Sequence, residues 1–209
     1  MGVTKQERLQ DYVKAVASSS PAPGGGSVAA VCGALGAALA RMVANIALGK
    51  EDYKSVHKEL RRISTTGESI QKRLLELAEE DTRAYWGVMK ALQKPKATPA
   101  QKERRRQAIQ MAMKKATDVP AETMEKCVEV LELSKKAIEK GSREAFTDVG
   151  SAALVARAGL EAAGLNVKVN LLSIKDEAFC KKTRAKAVSL LRKGSTLSNS
   201  VARIVESRF

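Results

Sequence analysis

One carboxylate lies where carboxylates are costly. Leu60, Ile63, Gly67, Ile70, Leu74, Leu77, Asp81, Ala84 and Val88 recur at alternating spacings of three and four, the seam of a helix packed along its whole length, and in that seam only Asp81 is charged. An acid on an apolar stripe is expensive to bury unless it is paired, hydrogen-bonded or used in chemistry. Asp81 therefore reads as a group used in chemistry, with a structural ion pair to Arg41 or Lys50 as an equal alternative. Pro23-Gly24-Gly25-Gly26-Ser27 leads into a helix start, whose free N–H groups and positive dipole end favour anions. Without a Walker lysine, a preceding strand or a dinucleotide fingerprint, a plain turn explains that run better on composition alone. Asn45, Asn166 and Asn170 sit in apolar helical stretches, where buried amides need partners or a ligand, and together they suggest a polar cavity.

Other chemistries are poorly supplied. His57 is the single histidine, and Cys32, Cys127 and Cys180 are scattered without metal-ligand spacing, so no metal site is expected and the cysteines read as buried thiols of a reducing compartment. The 209 residues carry 37 Lys+Arg against 23 Asp+Glu, a net charge of +14, concentrated at Lys102 to Arg106, Lys114-Lys115 and Lys181 to Lys186. Such patches bind nucleic acid, attract a small polyanion or simply face solvent. With three Phe, one Trp and three Tyr, not interleaved with the basic residues, a nucleic-acid-binding module is the weaker reading.

The elements that must position these groups are helices. There are 32 alanines and only 3% aromatics, a composition suited to closely packed helices and not to a sheet. The pattern predicts a first helix over Lys5 to Ala17 and a break at Ser18 to Gly26. Ser27 is the expected N-cap of an Ala/Gly-rich helix that Gly49 ends. Val28 to Leu48 is almost long enough to span a bilayer, but its small residues and Arg41 favour a buried helix of a soluble protein. A long helix follows from Asp52 to Leu92. Pro95 stops it, and Thr98-Pro99-Ala100-Gln101 has the form of a capping box opening a fourth helix to about Ala116. Asp118 and Pro120 are expected to restart the chain into a fifth helix ended by Gly141. Asp148 would cap a short sixth ended by Gly164, Leu165 begin a seventh, and Gly194 separate a last one. The expectation is an all-α, single-domain helical bundle over 1–209 with one long central helix. The polar start, Met1 to Gln10, carries no apolar signal-peptide core, and a cytoplasmic location is the expectation.

Pro21-Ala22-Pro23-Gly24-Gly25-Gly26-Ser27-Val28-Ala29-Ala30, Met42-Val43-Ala44-Asn45, Gly49-Lys50 and Asp81-Thr82-Arg83-Ala84-Tyr85 resemble the cyclodeaminase/cyclohydrolase family of folate enzymes. The likeness runs on in order through Pro95 to Pro99, Arg104-Arg105, Val119-Pro120, Asp148, Asn166-Val167, Asn170-Leu171 and Asp176 to Phe179. One departure is Gly141-Ser142, where the family usually has Gly-Asn. The resemblance implies a helical homodimer or higher homo-oligomer, dimerising through helices, and a tetrahydrofolate derivative as substrate with no prosthetic group. It also implies a polyglutamate tail for the basic surface to attract, and neither nucleic acid nor membrane as partner. Asp81 matches the catalytic aspartate. The cleft would be lined by Pro23, Gly24, Gly25, Gly26, Ser27, Asn45, Lys50, Tyr85, Arg104, Arg105, Asp148, Asn166 and Asn170. Of the two implied reactions, the reading leans to the cyclodeaminase, in which 5-formiminotetrahydrofolate gives 5,10-methenyltetrahydrofolate and ammonia. The alternative is the cyclohydrolase, which interconverts the 5,10-methenyl and 10-formyl forms.

Overall fold

A computed structural model describes residues 8–209. Its helices are α1 (Leu9–Val16), α2 (Gly25–Leu48), α3 (His57–Leu92), α4 (Pro99–Lys140), α5 (Phe146–Leu171) and α6 (Glu177–Glu206), with short 3-10 turns at Glu51–Val56 and Arg143–Ala145. Among the described residues there is no strand. Residues 5–7, expected to open the first helix, lie outside those described.

The centre belongs to α2, and α4 is the longest helix. Twelve of the 24 residues of α2 are buried, nearly all Ala or Gly, and α3, α4 and α5 wrap it. Small side chains let the neighbours come to backbone contact: a Cβ on Gly159 of α5 would lie 2.6 Å from the Ala29 carbonyl oxygen and 3.2 Å from the Gly33 nitrogen. Helix α2 is apolar and long enough to cross a membrane, but here it is the spine of the bundle. The predicted seam of α3 is observed, with Leu60, Ile63, Gly67, Ile70, Leu74, Leu77 and Ala84 all buried. Arg73 of α3 fastens it to α4 through Glu122 at 2.7 Å, and Glu80 of its own helix holds the same guanidinium at 2.7 Å. Both arms of the Thr98 capping box form.

Three expected breaks do not break. Pro120 lies inside α4, so the fourth and fifth helices are one of 42 residues. Proline lacks the N–H that would bond the carbonyl of residue 116, and the Asn170 amide of α5 donates to the Ala116 oxygen at 2.9 Å instead. Gly164 lies inside α5, its bare α-carbon facing Met124 and Leu191, and Gly194 lies inside α6, where a Cβ would collide with Leu160. These glycines serve close approach. Asp148 stands in the first turn of α5, one of whose flanking 3-10 residues, Ala145, occupies the cap position. Likewise α2 starts at Gly25 with Gly24 as N-cap, so Ser27 does not cap it. Ser27 is buried within the first turn, its hydroxyl 3.1 Å from that of Tyr12 on α1.

Candidate active site

The seam that buries α3 carries Asp81 to the first turn of α2. There the carboxylate rests against the bare α-carbon of Gly26. A methyl at that point would overlap Oδ1 and lie 2.6 Å from Cγ and 2.8 Å from Oδ2. The Ser27 backbone N–H donates to the carboxylate, using one of the donors that every helix start leaves unpaired. Burial pushes the Asp81 pKa above the ordinary carboxylate value, and the Ser27 N–H offsets this only partly. Among the described residues no cation stands beside it. Arg41 donates to Gln71 at 2.9 Å and meets Glu68 at 3.4 Å, while Lys50 holds Glu144 at 2.6 Å. The structural ion pair, the alternative reading of this acid, is not formed.

Asp81 opens onto a cavity of about 250 Å³. The Pro21 to Gly26 segment forms one wall, Asp81, Tyr85 and Val88 of α3 a second, Met113 and Ala116 of α4 a third, and Asn166 and Asn170 of α5 the last. Asn166 and Asn170 lie one turn apart, each tied through its amide nitrogen, the first to the Ala162 oxygen at 3.0 Å and the second to the Ala116 oxygen. Tyr85 packs edge-on against Trp86. Among the described residues no three His, Cys, Asp or Glu side chains converge, so Asp81 has no co-ligands for a metal ion.

Seven of the expected site residues thus meet at one cavity: Gly24, Gly25, Gly26, Asp81, Tyr85, Asn166 and Asn170. Pro23 and Ser27 are buried beside it. Asn45 lies far down α2, 19 residues or about 28 Å from Gly26 at 1.5 Å per residue, and Lys50 follows just past the far end of that helix. Asp148 is likewise about 27 Å along α5 from Asn166. One chain does not bring these three to Asp81. Ser142 belongs to that remote end also, buried with its hydroxyl unpartnered and its N–H directed at the Val43 oxygen. Arg104 and Arg105 stand on the opening turns of α4, outside the cavity, where Arg105 donates to the Leu92 carbonyl at 3.0 Å. Met113 and Ala116 were not anticipated as cavity walls. The signal was Pro120, whose missing N–H predicts an orphan carbonyl four residues earlier.

The bundle matches the crystal structure of formiminotetrahydrofolate cyclodeaminase from Thermotoga maritima with a TM-score of 0.87 over 97% of each chain, at 29% identity. Residues 8–189 match the model of the formiminotransferase-cyclodeaminase family. The chain belongs to that family. Within it, the chain is 37% identical over 202 residues to the methenyltetrahydrofolate cyclohydrolase of Methylorubrum extorquens, covering 97% of both. It is 32% identical over 200 residues to the formimidoyltransferase-cyclodeaminase of Rattus norvegicus, covering 96% of this chain and 37% of the rat protein. The expected all-α fold and the expected family are both found, and the relatives are folate enzymes by name.

Proposed function

We propose that the protein is a methenyltetrahydrofolate cyclohydrolase. The observation that carries this is the end-to-end match at 37% identity to a methenyltetrahydrofolate cyclohydrolase, and Asp81 fits it: a carboxylate in a cavity, held by one backbone N–H, with no protein cation beside it among the described residues. Such a group suits a substrate that brings the positive charge itself, as the amidinium carbon of 5,10-methenyltetrahydrofolate does. Water attacks that carbon and yields one proton to Asp81. The bond from carbon to nitrogen 5 then breaks as this proton passes to nitrogen 5, and the hydroxyl proton leaves to solvent, giving 10-formyltetrahydrofolate and one net proton. Tyr85 and Val88 line the cavity on the same helix as Asp81.

The sequence alone leans to the cyclodeaminase. The end-to-end match at 37% identity favours the cyclohydrolase, while the 0.87 TM-score to the Thermotoga enzyme supports the cyclodeaminase as the second reading. Either reaction employs Asp81 as the proton carrier. Incubation with 5,10-methenyltetrahydrofolate and with 5-formiminotetrahydrofolate side by side tests the proposal. Loss of methenyl absorbance to 10-formyltetrahydrofolate without ammonia release from the formimino compound is expected; ammonia release with growth of methenyl absorbance would replace it by the second reading.

A cavity of about 250 Å³ falls below the ~300–1,000 Å³ that enclose a drug-sized ligand. It takes the pterin headgroup and leaves the glutamate tail outside. On the neighbouring face of the α3–α4 hairpin, Arg83 and Lys115 border an open groove of about 460 Å³, and the tail is assigned to this basic side. The homodimer is likewise proposed, through the α2 stripe where Leu35, Met42 and Ile46 are exposed. Light scattering of the purified protein checks it.

A further inference from the structure

Asn166 and Asn170 have the same unusual constraint. Each donates through Nδ2 to a main-chain carbonyl, Ala162 at 3.0 Å and Ala116 at 2.9 Å, and a carbonyl accepts only from the NH₂ side of an amide. The amide orientation is therefore forced by chemistry, and each Oδ1 must turn away from its anchor. Among the described residues neither Oδ1 accepts a hydrogen bond, neither is sealed from solvent, and both residues line the cavity. The Ala116 anchor exists because Pro120 cannot bond its i−4 carbonyl. The cavity wall thus presents two fixed acceptors one helical turn apart, and residues at i and i+4 have Cβ atoms about 5–6 Å apart. A planar amino group donates along two N–H directions about 120° apart. With each acceptor about 2.9 Å from the nitrogen, the two acceptors it bridges are about 5 Å apart.

We propose that Asn166 and Asn170 together bind the exocyclic 2-amino group of the pterin ring through their Oδ1 atoms, and that Pro120 is the positioning residue that fixes Asn170 for this. The inference rests on the folate reading of the cavity and adds the orientation of the ring: its aminopyrimidinone edge faces α5 while the one-carbon unit faces Asp81. Pro120 acts only through Asn170, by supplying the carbonyl that holds its amide.

The test is equilibrium binding of tetrahydrofolate and of its 2-desamino-2-methyl analogue, which lacks the two donors, to the full chain. Wild type is expected to prefer tetrahydrofolate by about 10- to 100-fold, the range for leaving buried polar groups unpaired. In Asn170→Ala, where Asn166 still accepts from one N–H, the preference should fall several-fold below that of wild type. Because this variant also strands the Ala116 carbonyl, the double variant Pro120→Ala/Asn170→Ala separates the roles. There residue 120 regains its N–H, the carbonyl is bonded within α4, and folding no longer needs Asn170. A preference reduced several-fold in the double variant supports the proposal; wild-type preference there reduces Asn170 to a carbonyl partner and overturns it. Pro120→Ala alone should weaken tetrahydrofolate binding several-fold without lowering the melting temperature, and unchanged affinity would remove Pro120 from the role. Equal binding of both compounds by wild type overturns the inference and leaves the folate reading standing, whereas binding of neither overturns both.

Discussion

A single methyl group at position 26 tests the geometry of the site more sharply than removal of the carboxylate. In Gly26→Ala the new Cβ would sit 2.6 Å from Asp81 Cγ and nearer still to Oδ1, and ordinary contact begins near 3.4 Å, so the carboxyl group must retreat by at least 3.4 − 2.6 = 0.8 Å. The backbone of α2 cannot yield instead, because Ala29 and Gly33 are locked against Gly159. A misplacement of about 1 Å costs on the order of 10²-fold in rate. Stability should hardly change. Alanine gains up to about 1 kcal/mol over glycine in a helix, and a side chain pushed off its rotamer costs about 0.5–1.5 kcal/mol. The melting temperature should then stay within about 4 °C. Gly25→Ala is the comparison: its Cβ would meet Asn166 Nδ2 at 3.5 Å, an ordinary contact, and Asp81 stays in place. Steady-state hydrolysis of 5,10-methenyltetrahydrofolate, followed beside thermal melts, measures both. A kcat for Gly26→Ala within threefold of that for Gly25→Ala would refute the view that the Asp81 position sets the rate.

Asp81→Asn should bind folate and lose turnover, and its melting curve should differ from wild type in pH dependence. Because burial raises the folded pKa, both states are protonated well below the ordinary value near 3.9. Above it the unfolded chain ionises first, so wild type loses stability as pH climbs through that window until the folded carboxyl ionises too. The uncharged amide of the variant contributes no such slope, and parallel melting curves across about pH 3.5–8 would contradict the assigned burial. Tyr12→Phe removes the partner of a buried Ser27 hydroxyl and should cost about 1 kcal/mol, a drop of about 2–4 °C in calorimetry. Gly87→Ala meets nothing within 4 Å in mid-helix and should add about 0.5–1 kcal/mol in urea denaturation. Affinity for polyglutamylated folate should fall more steeply with salt than affinity for the monoglutamate, and equal slopes would remove the Arg83–Lys115 side as the tail site.

Periodicity made α3 legible, because its seven-residue repeat survives burial unchanged, and the lone acid in that repeat marked the site. The Thr98 box was legible because its two bonds are local. What misled was punctuation. Pro120, Gly164 and Gly194 are helix breakers by intrinsic propensity, but each lies where another element compensates: an amide from α5 for the proline, intimate packing for the glycines. Those compensations are long-range, and no local window contains them. The same limit applies to the site. Gly24 to Gly26 and Asp81 were recognised separately, but their contact spans 55 positions of chain. Asn45, Lys50 and Asp148 looked equivalent to Asn166 in sequence, and only the length of the helices separates them by some ~30 Å.

The backbone contact between α2 and α5 also governs what kind of catalyst this is. Seven residues before Gly33 stands Gly26 with the Asp81 contact, and seven after Gly159 stands Asn166, so two glycines bolt together the arms that carry the acid's cradle and the amide pair. The jaws of the vice cannot widen without prising apart main chain from main chain. Ligands are therefore sorted by how well they fit a fixed gauge, and any breathing needed for entry falls to α1 and the strip that joins it to Gly24.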